Sequence, residues 1–155
     1  MPLSAELEAA IGTKAAGRLR IAIKRWAETW SLPDLPDTVH VDLNRRLRTR
    51  VGRYCPAGHR IEVGPRFLAL RSRKAEVLAH ELAHAATRRL HPRAAKPHGP
   101  EWRRLVRAIG FEPLVRLGGT TTPRTVPGTG EMARYQHRCP VCQMTRWAGM
   151  PVTAW

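Results

Sequence analysis

Residues 74–90 read Lys74-Ala75-Glu76-Val77-Leu78-Ala79-His80-Glu81-Leu82-Ala83-His84-Ala85-Ala86-Thr87-Arg88-Arg89-Leu90. The stretch has no glycine or proline and is rich in helix formers, so it predicts a helix over 73–90 with Ser72 as its cap. Residues four apart on a helix differ by about 40° around the axis. His80 and His84 therefore point the same way, one turn apart, and two imidazole nitrogens can share one Zn²⁺ at about 2.0–2.1 Å. Glu81 sits about 100° round from His80. There it reaches water acidified by the ion without being a ligand, and it can pass a proton from that water to a leaving amine. Val77, Leu78, Leu82, Ala85 and Ala86 surround the pattern. The helix is expected to be largely buried, and buried polar side chains need partners. Chance would produce H-E-x-x-H in roughly 2% of chains of this composition.

A third ligand must come from elsewhere. His91 shares the face of His84 but lies about 10.5 Å further along the axis, too far for one ion. His98 follows a proline-bounded loop and can fold back; Glu101 competes with it, since His-His-Glu zinc sites exist. Thr87 and Leu90 stand where a metzincin would carry glycine and the third histidine.

The flanking segments predict a mixed helix and strand chain. Residues 4–30 read as helix, with Ser4 as cap, Gly12 and Gly17 as breaks, and Leu19, Ile23, Trp26 and Trp30 as one core-facing stripe. Val39, Val41, Leu43, Leu47 and Val51 share one parity and predict a strand over 38–51. The opposite parity carries Arg46, Arg48 and Arg50, about 7 Å apart on one strand face, a spacing that suits either phosphates or a solvated edge. Gly52 to His59 reads as a turn, and Arg60-Ile61-Glu62-Val63 as the second arm of a hairpin. Pro100 suits the first position of a third helix, stopped by Gly110.

Taken together, His80-Glu81-Leu82-Ala83-His84 and His98-Gly99-Pro100-Glu101-Trp102 resemble the SprT-like zinc metalloproteases, whose eukaryotic member is Spartan. Arg60-Ile61-Glu62-Val63 and Pro65-Arg66-Phe67-Leu68 resemble that family's segment before the active helix. The resemblance implies an α+β, zincin-like domain with helices packed on a small antiparallel sheet, over residues 1–116. It implies His80, His84 and His98 as zinc ligands, Glu81 as catalytic acid/base, and Trp102 packing the third ligand's loop onto the core. It further implies proteolysis of proteins bound or crosslinked to DNA.

Residues 117–130 are mostly glycine, threonine and proline, a linker composition. Residues 131–155 read as a small module. Cys139-Pro140-Val141-Cys142, with His137 beside it, is half of a zinc ribbon; the family's second cysteine pair is absent, and structural zinc wants four ligands. Arg138, Arg146 and Trp147 mix cations with an aromatic ring, which suits single-stranded nucleic acid. Cys55 reads as a free core thiol.

Composition narrows the function classes. The chain has 155 residues and 27 Lys and Arg against 12 Asp and Glu, a net charge of +15. That balance attracts polyanions, nucleic acid first. Three cysteines are too few for a disulfide scaffold, and neither a membrane span nor a secretory leader is legible, so a cytoplasmic, nucleoid-associated protein is expected. The leading expectation is a zinc-dependent endopeptidase. Its rivals are a non-enzymatic, zinc-stabilised nucleic-acid-binding module and a zincin-like hydrolase of a small substrate. Tyr54, His59 and nearby arginines are the candidates for stabilising an oxyanion.

Overall fold

The computed structural model describes residues 3–93, 96–115, 135–138 and 145–148. The chain divides into two compact units, Met1–Gly118 and Gly119–Trp155. In the first, the opening helical stretch forms α1 (Ala5–Ile11) and α2 (Thr13–Thr29). Ser4 caps α1 by accepting from the Leu7 amide at 3.3 Å. Gly12, at φ 83°, breaks the run; Gly17 does not. The predicted stripe is core: Leu19, Ile23, Trp26 and Trp30 are all buried.

A short α3 (Leu35–Thr38) leads into β1 (His40–Leu43), then β2 (Gly52–Cys55), a 3-10 turn (Pro56–Gly58) and β3 (Arg60–Val63). The strand order is β1-β3-β2. Two sequence expectations are corrected here. The sheet is mixed rather than antiparallel: β2 pairs antiparallel with β3, but β1 runs parallel to it, with Val41 opposite Ile61. The expected strand over 38–51 stops at Leu43, and the hairpin partner of β3 is the segment read as a turn. The cause is Asn44. Its side chain accepts from the Arg46 amide at 3.0 Å and its carbonyl accepts from the Leu47 amide at 3.0 Å. Such local bonds offer the backbone an alternative to the ladder. Arg46, Arg48 and Arg50 consequently lie on an exposed loop, not on one strand face.

After α4 (Pro65–Ala69) come α5 (Lys74–Leu90) and α6 (Pro100–Ala108). Arg73, not Ser72, occupies the cap position of α5, with no side-chain cap bond. The first unit is α+β, with one apolar core. Ile61 and Val63 of the central strand, Phe67 of α4, Leu78 and Leu82 of α5, and Trp102 of α6 are fully buried in it. The alanines of α5 (Ala79, Ala83, Ala85, Ala86) are also fully buried, and their small side chains let neighbouring elements approach this helix closely.

In the second unit, β4 (Tyr135–Arg138) and β5 (Thr145–Ala148) pair antiparallel, with His137 opposite Arg146 and Gln136 opposite Trp147. Cys139, Cys142 and the linker at 117–130 lie outside the described residues. Among the described residues, no helix is long and apolar enough to cross a membrane.

Candidate metal centre

Helix α5 presents His80 and His84 on one face, as their four-residue spacing requires, and the segment before α6 brings His98 to them. The three Nε2 atoms form a near-equilateral triangle: 3.3 Å from His84 to His80, 3.2 Å from His84 to His98, and 3.1 Å from His98 to His80. Two vertices of a tetrahedron with zinc–nitrogen bonds near 2.05 Å lie about 3.3 Å apart. The triangle therefore has the size of one face of such a tetrahedron, and these residues fit the ion. Among the described residues, the cluster able to hold a metal is His80, His84 and His98; Glu101, the rival third ligand, is not part of it.

Electrostatics favour the ligating form. Burial pushes the His80 imidazolium down to about 3, helped by His98 and opposed by a backbone hydrogen bond at Leu114. Burial, then His80 and His98, holds His84 well below the usual range, and burial, then Arg103, lowers His98. All three rings are neutral at neutral pH, as metal binding requires. In the tautomer that keeps each proton on Nδ1, three lone pairs converge and repel one another, and a cation at the centre relieves that.

The bracing is aromatic and main-chain. Trp102, fully buried, donates from Nε1 to the His80 carbonyl at 3.2 Å. Its ring centre lies 4.7 Å from those of His80 and His98, and it stacks on His84 at 5.3 Å with 22° between planes. His98 adopts the left-handed conformation at φ 57°. Its carbonyl accepts from Arg103 Nε at 3.1 Å, and the Gly99 amide donates to the Lys96 carbonyl at 2.9 Å. A Cβ on residue 99 would stand 3.0 Å from that carbonyl and 3.2 Å from Glu101 Oε2, so the tight return to α6 calls for glycine.

Glu81 turns from the histidine face toward β2, an edge strand of the sheet. Its Oε2 accepts from the Tyr54 amide at 2.8 Å. Burial raises its carboxyl to about 7, against the lowering effects of that amide and of Arg50. Gly52 leaves the room: a Cβ there would sit 3.2 Å from Val77 Cγ1 and 3.4 Å from Glu81 Cγ. Next to this contact, the Tyr54 hydroxyl bonds His59 Nδ1 at 2.9 Å, and Thr38 Oγ1 lies 3.3 Å from His59 Nε2. The holding roles of the Tyr54 amide, Gly52, Arg103 and Leu114 were missed in the sequence. Only glycine at 52 and arginine at 103 left any trace there, and neither is distinctive. Arg46 and Arg48 stay on their exposed loop and Cys55 is a half-buried free thiol.

An α+β scaffold with three histidines converging from a helix and a following loop, and a carboxylate beside them, defines a metal-site domain. The model of the SprT-like family matches residues 22–126, and the chain belongs to that family, which is associated with metallopeptidase activity. Comparison with curated proteins and with solved structures gives no match.

Proposed function

We propose that the chain is a zinc-dependent endopeptidase acting on proteins held on DNA. The observation that carries the enzymatic part is the Nε2 triangle with a buried, near-neutral carboxyl one residue along the same helix. His80, His84 and His98 would hold the ion and leave a fourth vertex open, whereas a purely structural site closes all four. Zinc, when bound there, polarises a carbonyl and makes water more acidic. The rest falls to the chain. The Tyr54 amide fixes Glu81 through Oε2, so Oε1 is the oxygen that takes a proton from water as it attacks the scissile carbonyl. The same carboxyl returns that proton to the amine nitrogen as the C–N bond breaks. Burial, which disfavours the charged carboxylate, makes Glu81 a readier proton acceptor in the first half of this exchange. Trp102 and Arg103 keep the third histidine in place during turnover.

The DNA part rests on charge and family. A net charge of +15 attracts a polyanion, and it concentrates substrates that ride on one. Exposed Arg46, Arg48 and Arg50, and in the second unit Arg138, Arg146 and Trp147, are the expected contacts; a further zinc on Cys139, Cys142 and His137 belongs to the same proposal. The setting would be cytoplasmic, at the nucleoid.

The test is cleavage of a DNA-binding protein by zinc-loaded enzyme, with and without single-stranded DNA, beside Glu81→Gln. Cleavage stimulated by DNA and lost in the variant is expected. Retained cleavage in the variant overturns the mechanism; absence of any cleavage with zinc bound favours the binding-module reading.

A further inference from the structure

Helix α6 carries a second feature, which adjoins the metal centre at His98 and Arg103 but extends past it to arginines that the centre does not use. A cleft of about 530 Å³ runs along it, lined by His98, Gly99, Pro100, Arg103, Arg104 and Arg107. On a helical projection, Arg103, Arg104 and Arg107 span an arc of about 100° that faces away from the buried Trp102 and Val106. All three arginines are exposed. Arg103 is anchored through Nε to the His98 carbonyl, which leaves its terminal nitrogens open to the cleft. The side chains of Arg104 and Arg107 have no ion pair or hydrogen bond among the described residues. Glu101 is the one acid on this helix, and it forms no bridge to them. Arg93 and Lys96 precede the helix and add to the charge.

Adjacent guanidinium groups without counter-charges repel one another, and an anionic ligand removes that cost. Arginine's planar fork matches phosphate oxygens two at a time. Arg103 and Arg107 are one turn apart, so their contacts fall in a row along the helix. The geometry points to a binding site for the phosphate backbone of a nucleic-acid strand, held by Arg103, Arg104 and Arg107 beside the third histidine. A phosphate strand suits this cleft better than a substrate peptide does. The three imidazole nitrogens converge on the side of α6 that Trp102 packs against, and the arginines lie on the outer side. The strand would run along the outer side of α6 and meet the metal centre at His98. This site sharpens the DNA part of the proposed function, and its binding does not depend on proteolysis.

The experiment is fluorescence anisotropy of a labelled single-stranded oligonucleotide with the zinc-loaded full chain, titrated at several salt concentrations. The comparison is Arg104→Ala/Arg107→Ala against Arg18→Ala/Arg25→Ala, a double variant of exposed arginines on α2 with the same loss of charge. Zinc content and circular dichroism confirm that each variant is folded. The α6 variant is expected to bind at least about 10-fold more weakly and to lower the salt slope by about 2, one for each phosphate contact removed. The α2 variant is expected to lose less than about 3-fold. Equal losses in the two variants, or no loss in the first, overturn the proposal. So does an acidic peptide of equal charge that displaces the oligonucleotide equally well, since the cleft would then be a peptide site. If cleavage is never seen while the α6 variant alone loses DNA, the protease reading fails and the cleft stands.

Discussion

Two glutamates of this protein are buried to nearly the same degree, Glu62 at 5% exposure and Glu81 at 8%, and they are held in opposite ways. Glu62, on β3, receives Asn44 Nδ2 at 2.8 Å, Arg53 Nε at 2.9 Å and, through its other oxygen, Arg60 at 3.1 Å. Burial alone would push its carboxyl up; the bonds from Asn44 and Arg53, with the charges of Arg53 and Arg60, outweigh that and hold it below the usual range. Glu81, on α5, receives one main-chain amide, and burial prevails. Arg53 and Tyr54 are neighbours on β2, so one strand serves both carboxyls. What separates a locked structural anion from a group free to trade protons is therefore the number and charge of its partners, not its depth.

Substitution gives the largest contrast. Glu81→Gln is expected to lower cleavage by about 10³-fold with zinc retained. Glu62→Gln is expected to leave kcat/KM of the folded fraction within about 3-fold, because no proton transfer passes through it. Single-turnover assays with metal analysis check both; equal losses would break the comparison.

Stability against pH comes next. In the metal-free protein, the Glu81 pKa is raised to about 7 from about 4.5. Between those values the folded state keeps a proton that the unfolded chain has lost, so this group costs stability as pH rises through that window. Glu81→Gln removes the cost, and at pH 8 the variant should be more stable by about 3 kcal/mol, with the difference fading toward pH 4. The lowered pKa of Glu62 has the other sign: its contribution is present above the unfolded value and is lost as pH falls through the folded one. Urea denaturation from about pH 2 to about pH 8 measures both.

Smaller effects sharpen the same contrast. Glu62→Ala strips Asn44 and two half-exposed arginines of their shared acceptor, for a loss of about 2 kcal/mol at neutral pH. Gly52→Ala pushes on Val77 and Glu81 together, for about 1 kcal/mol and a several-fold loss of cleavage, read from the same two assays.

The contrast was half visible in the sequence. Helix α5 announced itself, because a four-residue histidine spacing within a run of helix formers has one geometric outcome. Trp102 and Pro100 likewise sit where their chemistry places them. Glu62 read only as one position in an alternating strand, since its partners Asn44 and Arg53 come from separate segments. The Tyr54 amide is a main-chain group and has no signature in side-chain order. Strand β2 was hidden by Gly52 and Pro56, turn residues that here flank a four-residue strand. The parallel β1 depends on the path of the 44–51 loop, where a single asparagine's local bonding outweighed the alternation of Leu43, Leu47 and Val51.

Trp102 touches all three imidazoles and hangs from the backbone of one of them. An indole so placed makes the centre optically self-reporting. Its emission responds when the rings are protonated or when a cation draws their electrons. Loading and stripping of the ion can then be followed in the native chain without a dye, and Trp102→Phe identifies which part of the signal belongs to the site.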